Sequence, residues 1–298
     1  MGKRRKAAFL MALLIFSVQV VSVSGEEIDR NSGNSYISLG ADLTDAEKNI
    51  VLSHFGLDEA DLASYPVISV TNQEEHQYLG AYLDRGVIGG RALSSVMVTT
   101  KEEGYGIHVT TRNISYCTVG MYQNALATAG LKDVDIRVAG PFSISGTAAL
   151  VGAIKSYEGL TGQTMDSEQI DAANRELAVS SELGKVLDSP TQAEQLVSII
   201  KDQVISNDYN LEEVGEIIDQ TAAEMQIRLT EEDRQKILDL MGQVNDLDLN
   251  IEDLKQQVSN IYEQLQSVSL SVEKEQAKGF LNRLREKLED FMYSIVGQ

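Results

Sequence analysis

The order of strand-like and helix-like patterns between Val67 and Val138 is the feature that most constrains the fold of this chain. Runs rich in β-branched residues and segments with the apolar spacing of helices alternate here: strands at 67–71, 94–100, 106–111 and 134–138, helices at 72–83 and 118–129. The two kinds of segment differ in period, about 2 residues for strands and about 3.6 for helices. The order strand, helix, strand, strand, helix, strand predicts an α+β fold with ferredoxin-like βαββαβ connectivity.

The link between the second and third of these strands predicts a β-hairpin. Residues 101–106 read Lys-Glu-Glu-Gly-Tyr-Gly, and glycine supplies the positive φ that short hairpin loops need. An antiparallel sheet with helices on one face would bury both amphipathic helices at once. We therefore expect 94–100 and 106–111 to pair as neighbours.

Cap patterns fix several helix ends. Thr44 with Glu47 three residues later predicts a helix that runs to Phe55 and stops at Gly56. Asn72 with Glu75 predicts the start of a helix that continues through Leu83.

The N-terminus has the pattern of an export signal. Four basic residues at 3–6 precede an apolar run at 7–23, and small residues at 24–25 precede Glu26. This predicts a signal peptide at 1–25 and a secreted or extracellular protein. After export the protein either stays free or associates with the cell surface. The alternative is an uncleaved membrane anchor, because the apolar run approaches a spanning length.

The net charge limits the partners that this chain is expected to bind, and the cysteine content indicates the kind of organism that it comes from. The formal net charge is −20, and such a polyanion is repelled by phosphates, so no nucleic-acid partner is expected. Cys117 is the single cysteine. This excludes an internal disulfide and favours a bacterial exported protein over a small eukaryotic secreted domain.

The C-terminal part contains a seam of apolar residues spaced alternately by three and four. The seam consists of Ile237, Leu240, Val244, Leu247, Ile251, Leu254, Val258, Ile261, Leu265, Val268 and Val272. It predicts a coiled-coil helix about 54 Å long, and β-branched residues alternating with Leu favour a parallel pair. The pattern is compatible with two arrangements: a homodimer through this seam, and an antiparallel bundle in which the helix folds back on its own chain. The predicted division is an α+β domain at 26–165 and a helical region at 166–298.

No catalytic, cofactor or metal motif is present in the sequence. His54, His76 and His108 are far apart, and a Cys117–His108 nucleophile pair lacks any orienting signature. Glu74, Glu75 and His76 are adjacent and predict a solvated polar face, because neighbouring helical residues point in different directions.

One weak candidate for an anion site remains. Ser145, Gly146 and Thr147 precede an apolar helix pattern, and free backbone N–H groups at a helix start attract anions. The competing interpretation is a serine or threonine that caps its own helix.

Five separated blocks of sequence resemble the domain of unknown function 1002 family, and the likeness covers roughly 35–185. The blocks are Gly40–Thr44, Val70–Gly80, Ala92–Thr99, Met121–Phe142 and Ser145–Leu150. The resemblance implies an exported protein of Gram-positive bacteria with no established activity, and so no functional residues to carry over.

The expected function is therefore a non-enzymatic binding or scaffold protein of the cell envelope, with a cell-wall or surface-protein partner. The alternatives are an envelope-acting hydrolase and a small-ligand or cation-binding protein.

Overall fold

A computed structural model describes residues 34–205 and 209–247. The predicted signal peptide and the seam from Ile251 onward lie outside these described residues. One mixed sheet has the strand order β2-β1-β3-β5-β4. Its strands are β1 (Ser35–Gly40), β2 (Val67–Val70), β3 (Ser95–Thr100), β4 (Ile107–Ile114) and β5 (Val134–Ile144). Four of these strands run parallel, and β3 runs antiparallel to its neighbours β1 and β5.

The predicted β3–β4 hairpin is wrong, and the ferredoxin-like connectivity is not found. β5 lies between the two strands, antiparallel to β3 and parallel to β4. The 101–106 loop crosses the start of β5 instead of folding back. Lys101 N–H donates to the Asp133 carbonyl at 2.7 Å, and Gly106 N–H donates to the Asp133 carboxylate at 3.0 Å. These bonds hold β3 and β4 apart by the width of one strand.

Helices cover both faces of the sheet. α1 (Asp45–Phe55) packs on the face formed by Ile37, Met97 and Ala139. The opposite face is covered by α2 (Asn72–Leu79), α4 (Val119–Thr128) and α5 (Thr147–Thr161), and the short α3 (Arg85–Ile88) follows α2. Burial of apolar side chains on both faces supplies the main stabilising free energy of this part of the fold.

Both predicted ends of α1 are confirmed, and both predicted ends of α2 are shifted. Thr44 and Glu47 form the capping box of α1, and Gly56 ends it at φ 75°. For α2 the cap is Thr71 with Glu74, one residue earlier than predicted, and the helix ends at Leu79, not Leu83. Glu75 cannot serve as the capping partner because its side chain turns inward, with 2% of its surface exposed.

Four further helices stack beyond α4. They are α6 (Ser167–Val186), α7 (Pro190–Ile205), α8 (Leu211–Glu224) and α9 (Glu231–Asn245). α6 takes part in both cores, since Leu177 packs with the sheet-side residues and Leu183 with the helical ones.

The first seam residues pack within the chain. Ile237, Leu240 and Val244 are fully buried in the core that α9 shares with α6, α7 and α8. α9 ends at Asn245 and Asp246 caps it, so the predicted continuous coiled-coil helix is not confirmed. The burial of these three residues is the arrangement expected of the fold-back alternative.

A buried ion pair joins the helices of the two cores. Lys201 on α7 lies 2.8 Å from the Glu176 carboxylate on α6, and both side chains are 1% exposed. The ammonium also donates to Thr128 Oγ1 and to the Asn124 carbonyl, each at 3.0 Å. A buried pair is tolerable only when its hydrogen bonds are satisfied, as they are here.

Replacing Lys201 by Met should lower the free energy of unfolding by about 3–5 kcal/mol, because Glu176 is left buried and unpaired. Urea denaturation measures the loss. Lys155→Met is the matched control, since Lys155 pairs with Glu74 near the surface and its loss should cost about 0–1 kcal/mol. Equal losses for the two variants would contradict the role of Lys201 in neutralising a buried carboxylate. The double variant Lys201→Met/Glu176→Leu removes both charges and should recover most of the lost stability.

A second buried carboxylate connects α7 to the start of α4. Glu194 is 6% exposed and accepts a hydrogen bond from the hydroxyl of Thr118, the N-cap residue of α4. Burial raises the pKa of Glu194 from 4.5 to about 7. The folded protein therefore holds this proton more tightly than the unfolded chain does.

The free energy of unfolding should fall as the pH rises from about 4.5 to 7, because the unfolded chain ionises at Glu194 before the folded protein does. Relative to Glu194→Gln, which stays neutral, the wild-type protein should lose about 3 kcal/mol over this window. Chemical denaturation of both proteins at pH 4.5 and 7.5 tests this. Parallel pH profiles would show that Glu194 does not titrate in this range.

Candidate functional site

The candidate site lies at the edge of the sheet where the parallel strands end. The carboxyl ends of β1, β2, β4 and β5 share this edge with the start of β3, as the strand directions require. Ligands of open sheets with parallel strands bind at this edge. A pocket of about 760 Å³ lies here, between residues 86–91, which form the end of α3 and the loop after it, residues 115–116 after β4 and residues 142–145 at the end of β5. Its volume is within the range of small-molecule sites.

Glu75 lies at the floor of the pocket. Its carboxylate accepts a hydrogen bond from the Thr147 hydroxyl at 2.5 Å and one from Asn72 Nδ2 at 3.2 Å. Burial raises the pKa of this carboxyl, although both hydrogen bonds act in the opposite direction. The prediction of a solvated polar face was therefore wrong for Glu75.

Ser145, Gly146 and Thr147 do come together beside the pocket. Gly146 precedes α5 with φ 96°, and its carbonyl accepts a hydrogen bond from the Tyr122 hydroxyl at 2.6 Å. Ser145 Oγ lies 3.1 Å from Thr147 Oγ1.

Groups from elsewhere in the chain occupy the start of α5. None of the three residues caps the helix with its side chain; instead Ala149 N–H donates to Ser94 Oγ at 3.0 Å. The Glu75 carboxyl lies at this helix start, because it accepts the hydrogen bond of Thr147, the first residue of α5. Anion binding by Ser145, Gly146 and Thr147 stays a prediction.

The rim of the pocket contains an aromatic residue and two cations. Phe142 is 50% exposed. Lys185 Nζ lies 5.0 Å from the centroid of the Tyr116 ring, a cation–π distance. Arg91 is already paired, 2.6 Å from the Glu47 carboxylate. Lys185 has no ion-pair partner among residues 34–205 and 209–247.

The histidines do not form a site. The ring nitrogens of His54, His76 and His108 face Asn113 Nδ2, the Gly89 carbonyl and the Tyr105 carbonyl respectively. In the part of the chain that the structure describes, no group of three His, Cys, Asp or Glu residues could hold a metal ion.

Cys117 is not paired with His108. His108 is the second residue of β4 and Cys117 follows the far end of that strand, so about 20 Å of strand lies between them at 3.3 Å per residue. Burial raises the pKa of the Cys117 thiol to about 12, so the thiol stays protonated and unreactive at neutral pH.

Sequence reasoning missed the residues that define the pocket: Glu75, Ser94, Phe142 and Lys185. They come from α2, the start of β3, the end of β5 and the end of α6, and only the strand order brings them together. The one sequence signal that could have indicated these four residues is that each lies within a few residues of the end of a helix or strand.

The fold and this pocket define a mixed α+β protein with a candidate ligand site at the carboxyl edge of its sheet. The chain belongs to the family described as protein of unknown function (DUF1002), whose model matches residues 39–261. This confirms the family resemblance seen in the five sequence blocks.

Among curated proteins the chain is similar to the uncharacterized protein YpuA of Bacillus subtilis (strain 168). The two are 32% identical over 286 residues, which cover 95% of this chain and 93% of the relative. No solved structure gives a significant match. Within 34–205 and 209–247, none of the helices combines the length with the hydropathy that a membrane crossing requires.

Gly146→Ala should destabilise the protein by about 2–4 kcal/mol. A Cβ there would lie 2.4 Å from Tyr122 Oη, and positive φ costs a non-glycine residue about 1–2 kcal/mol. Gly162→Ala is the control, because it has φ 68° with open space around the added atom and should lose only the conformational part. Urea midpoints measure both. Equal losses would show that the Tyr122–Gly146 contact is not rigid.

Proposed function

We propose that this chain is an exported, non-enzymatic binding protein of the bacterial cell envelope and that its ligand enters the pocket at the carboxyl edge. The observation that carries the proposal is that one pocket is lined both by the half-exposed ring of Phe142 and by Lys185, whose ammonium has no ion-pair partner among residues 34–205 and 209–247. Binding sites combine apolar or aromatic surface with a few converging polar groups in this way.

The polar lining supports recognition by hydrogen bonds. Four serine hydroxyls line the pocket: Ser94, Ser115, Ser143 and Ser145. Ser94 uses one lone pair to accept from Ala149 N–H, and its own hydrogen has no acceptor among the described residues. That hydroxyl is therefore able to donate to a ligand.

The glycines at the end of α3 and in the loop after it leave the backbone of residues 86–90 accessible to a ligand. Gly86, Gly89 and Gly90 each have open space within 4 Å of the position that a Cβ would take. A ligand is thus able to approach the main chain of this loop closely, which side chains would prevent.

The state of Glu75 favours binding over catalysis. A catalytic acid must reach the reacting atom, but both Glu75 oxygens are engaged, by Thr147 and Asn72, and the side chain is 2% exposed. The hydrolase alternative depends on this carboxyl, since its raised pKa is the property that a general acid needs.

The direct test is co-sedimentation with purified cell wall of the full chain, expressed in a Gram-positive host and purified as exported. Phe142→Ala should reduce the bound fraction severalfold, because the ring contributes most of the apolar contact. Ile50→Ala is the matched control: Ile50 is 42% exposed and lies on α1, across the sheet. Retention of the protein inside the cell, or equal binding by the two variants, would contradict the proposal.

The supernatant of the same experiment distinguishes the hydrolase. Soluble wall fragments released by the wild-type protein but not by Glu75→Gln would replace the binding function by a catalytic one. Binding without release is the result that we expect.

A further inference from the structure

We propose that the pocket binds an acidic sugar or sugar-like polyol, with the anionic group on Lys185, the ring or carbon chain on Phe142 and the hydroxyls on the pocket serines. This inference rests on the proposed function and specifies its ligand. It uses three separate properties of the pocket: its charge, its aromatic surface and its hydroxyl lining.

The charge of the pocket favours an anion, although the whole chain is acidic. The lining contains two cations and one carboxyl. Arg91 is neutralised by Glu47, and Glu75 accepts hydrogen bonds at the buried floor. Lys185 thus supplies a positive charge that no ion pair neutralises among residues 34–205 and 209–247, in a chain whose formal net charge is −20. An anionic group on the ligand would form a charge-assisted hydrogen bond with it.

Two features favour a defined position for Lys185 before a ligand arrives. It lies in the last turn of α6, where the helix dipole favours a cation, and its ammonium lies 5.0 Å from the Tyr116 ring centroid. A lysine held over an aromatic ring loses less side-chain freedom on binding than a free one, so more of the contact energy appears as affinity.

The aromatic surface favours a ligand with a flat C–H face. Phe142 is half exposed although the β5 residues that precede it, 138–141, are buried. A sugar ring presents C–H groups on one face and hydroxyls at its edge. Such a ring would pack its C–H face on Phe142 and hydrogen-bond to the pocket serines through the hydroxyls at its edge. A purely apolar ligand would leave the serine hydroxyls without hydrogen-bond partners.

The anionic group has two sources in a bacterial wall: the carboxylate of a lactyl sugar and the phosphate of a polyol phosphate. Both share the chemistry of an anion beside hydroxyls. The experiment therefore compares N-acetylmuramic acid, glycerol 3-phosphate and neutral N-acetylglucosamine by calorimetric titration into the full chain purified as exported.

At least one acidic probe should bind about tenfold more tightly than N-acetylglucosamine, and Lys185→Gln should remove this difference. Lys132→Gln is the matched control, because Lys132 is exposed before β5, at the opposite edge of the sheet, and should leave the difference intact. Unchanged melting temperatures confirm that both variants are folded. The stronger acidic probe identifies the source of the anion.

Equal affinity for the acidic and neutral sugars, or equal effects of the two lysine variants, would overturn the inference. A diglutamate peptide that binds as tightly as the sugars, and with the same dependence on Lys185, would also overturn it in favour of an acidic peptide. Failure here is distinguishable from failure of the proposed function. Wall binding that depends on Phe142 but not on Lys185 retains the binding protein and removes only the acidic ligand.

Discussion

The position of β5 between β3 and β4 is the constraint on which the rest of the structure depends. Val134, Ile136 and Val138 are at most 1% exposed, and both edges of the strand are hydrogen-bonded, to β3 on one side and β4 on the other. A strand in the middle of a sheet satisfies its backbone groups without water. This placement makes four strands parallel, so their carboxyl ends meet at one edge and create the pocket.

The helices that follow β5 hold the pocket in shape. Thr147 at the start of α5 binds Glu75 from α2, and Lys185 is positioned by the end of α6. α6 is in turn fixed to α4 and α7 through the Glu176–Lys201 pair. Polar networks of this kind are stabilising only when complete. The pocket and the helical core are therefore linked by polar contacts as well as by apolar packing.

Local sequence patterns were sufficient for much of the fold. The strand β2 and the helix α1 with its two caps were predicted, because Thr44 and Gly56 act through contacts within a few residues. The pairing of β3 with β5 was not predictable from the same kind of reasoning. It depends on the Asp133 contacts with the 101–106 loop, which join residues about thirty positions apart and leave no periodic signal. The inward turn of Glu75 was missed for the same reason, since its partner Thr147 is distant in sequence.

The central claim is that the pocket at the carboxyl edge is where this protein meets its ligand. Hydrogen-exchange mass spectrometry of the full chain purified as exported, with and without solubilised cell-wall fragments, tests it most directly. The account predicts slower exchange in 86–91 and 142–145, which line the pocket, and unchanged exchange in α1. Protection confined to α1 or to α8 and α9, with none at the pocket, would contradict it.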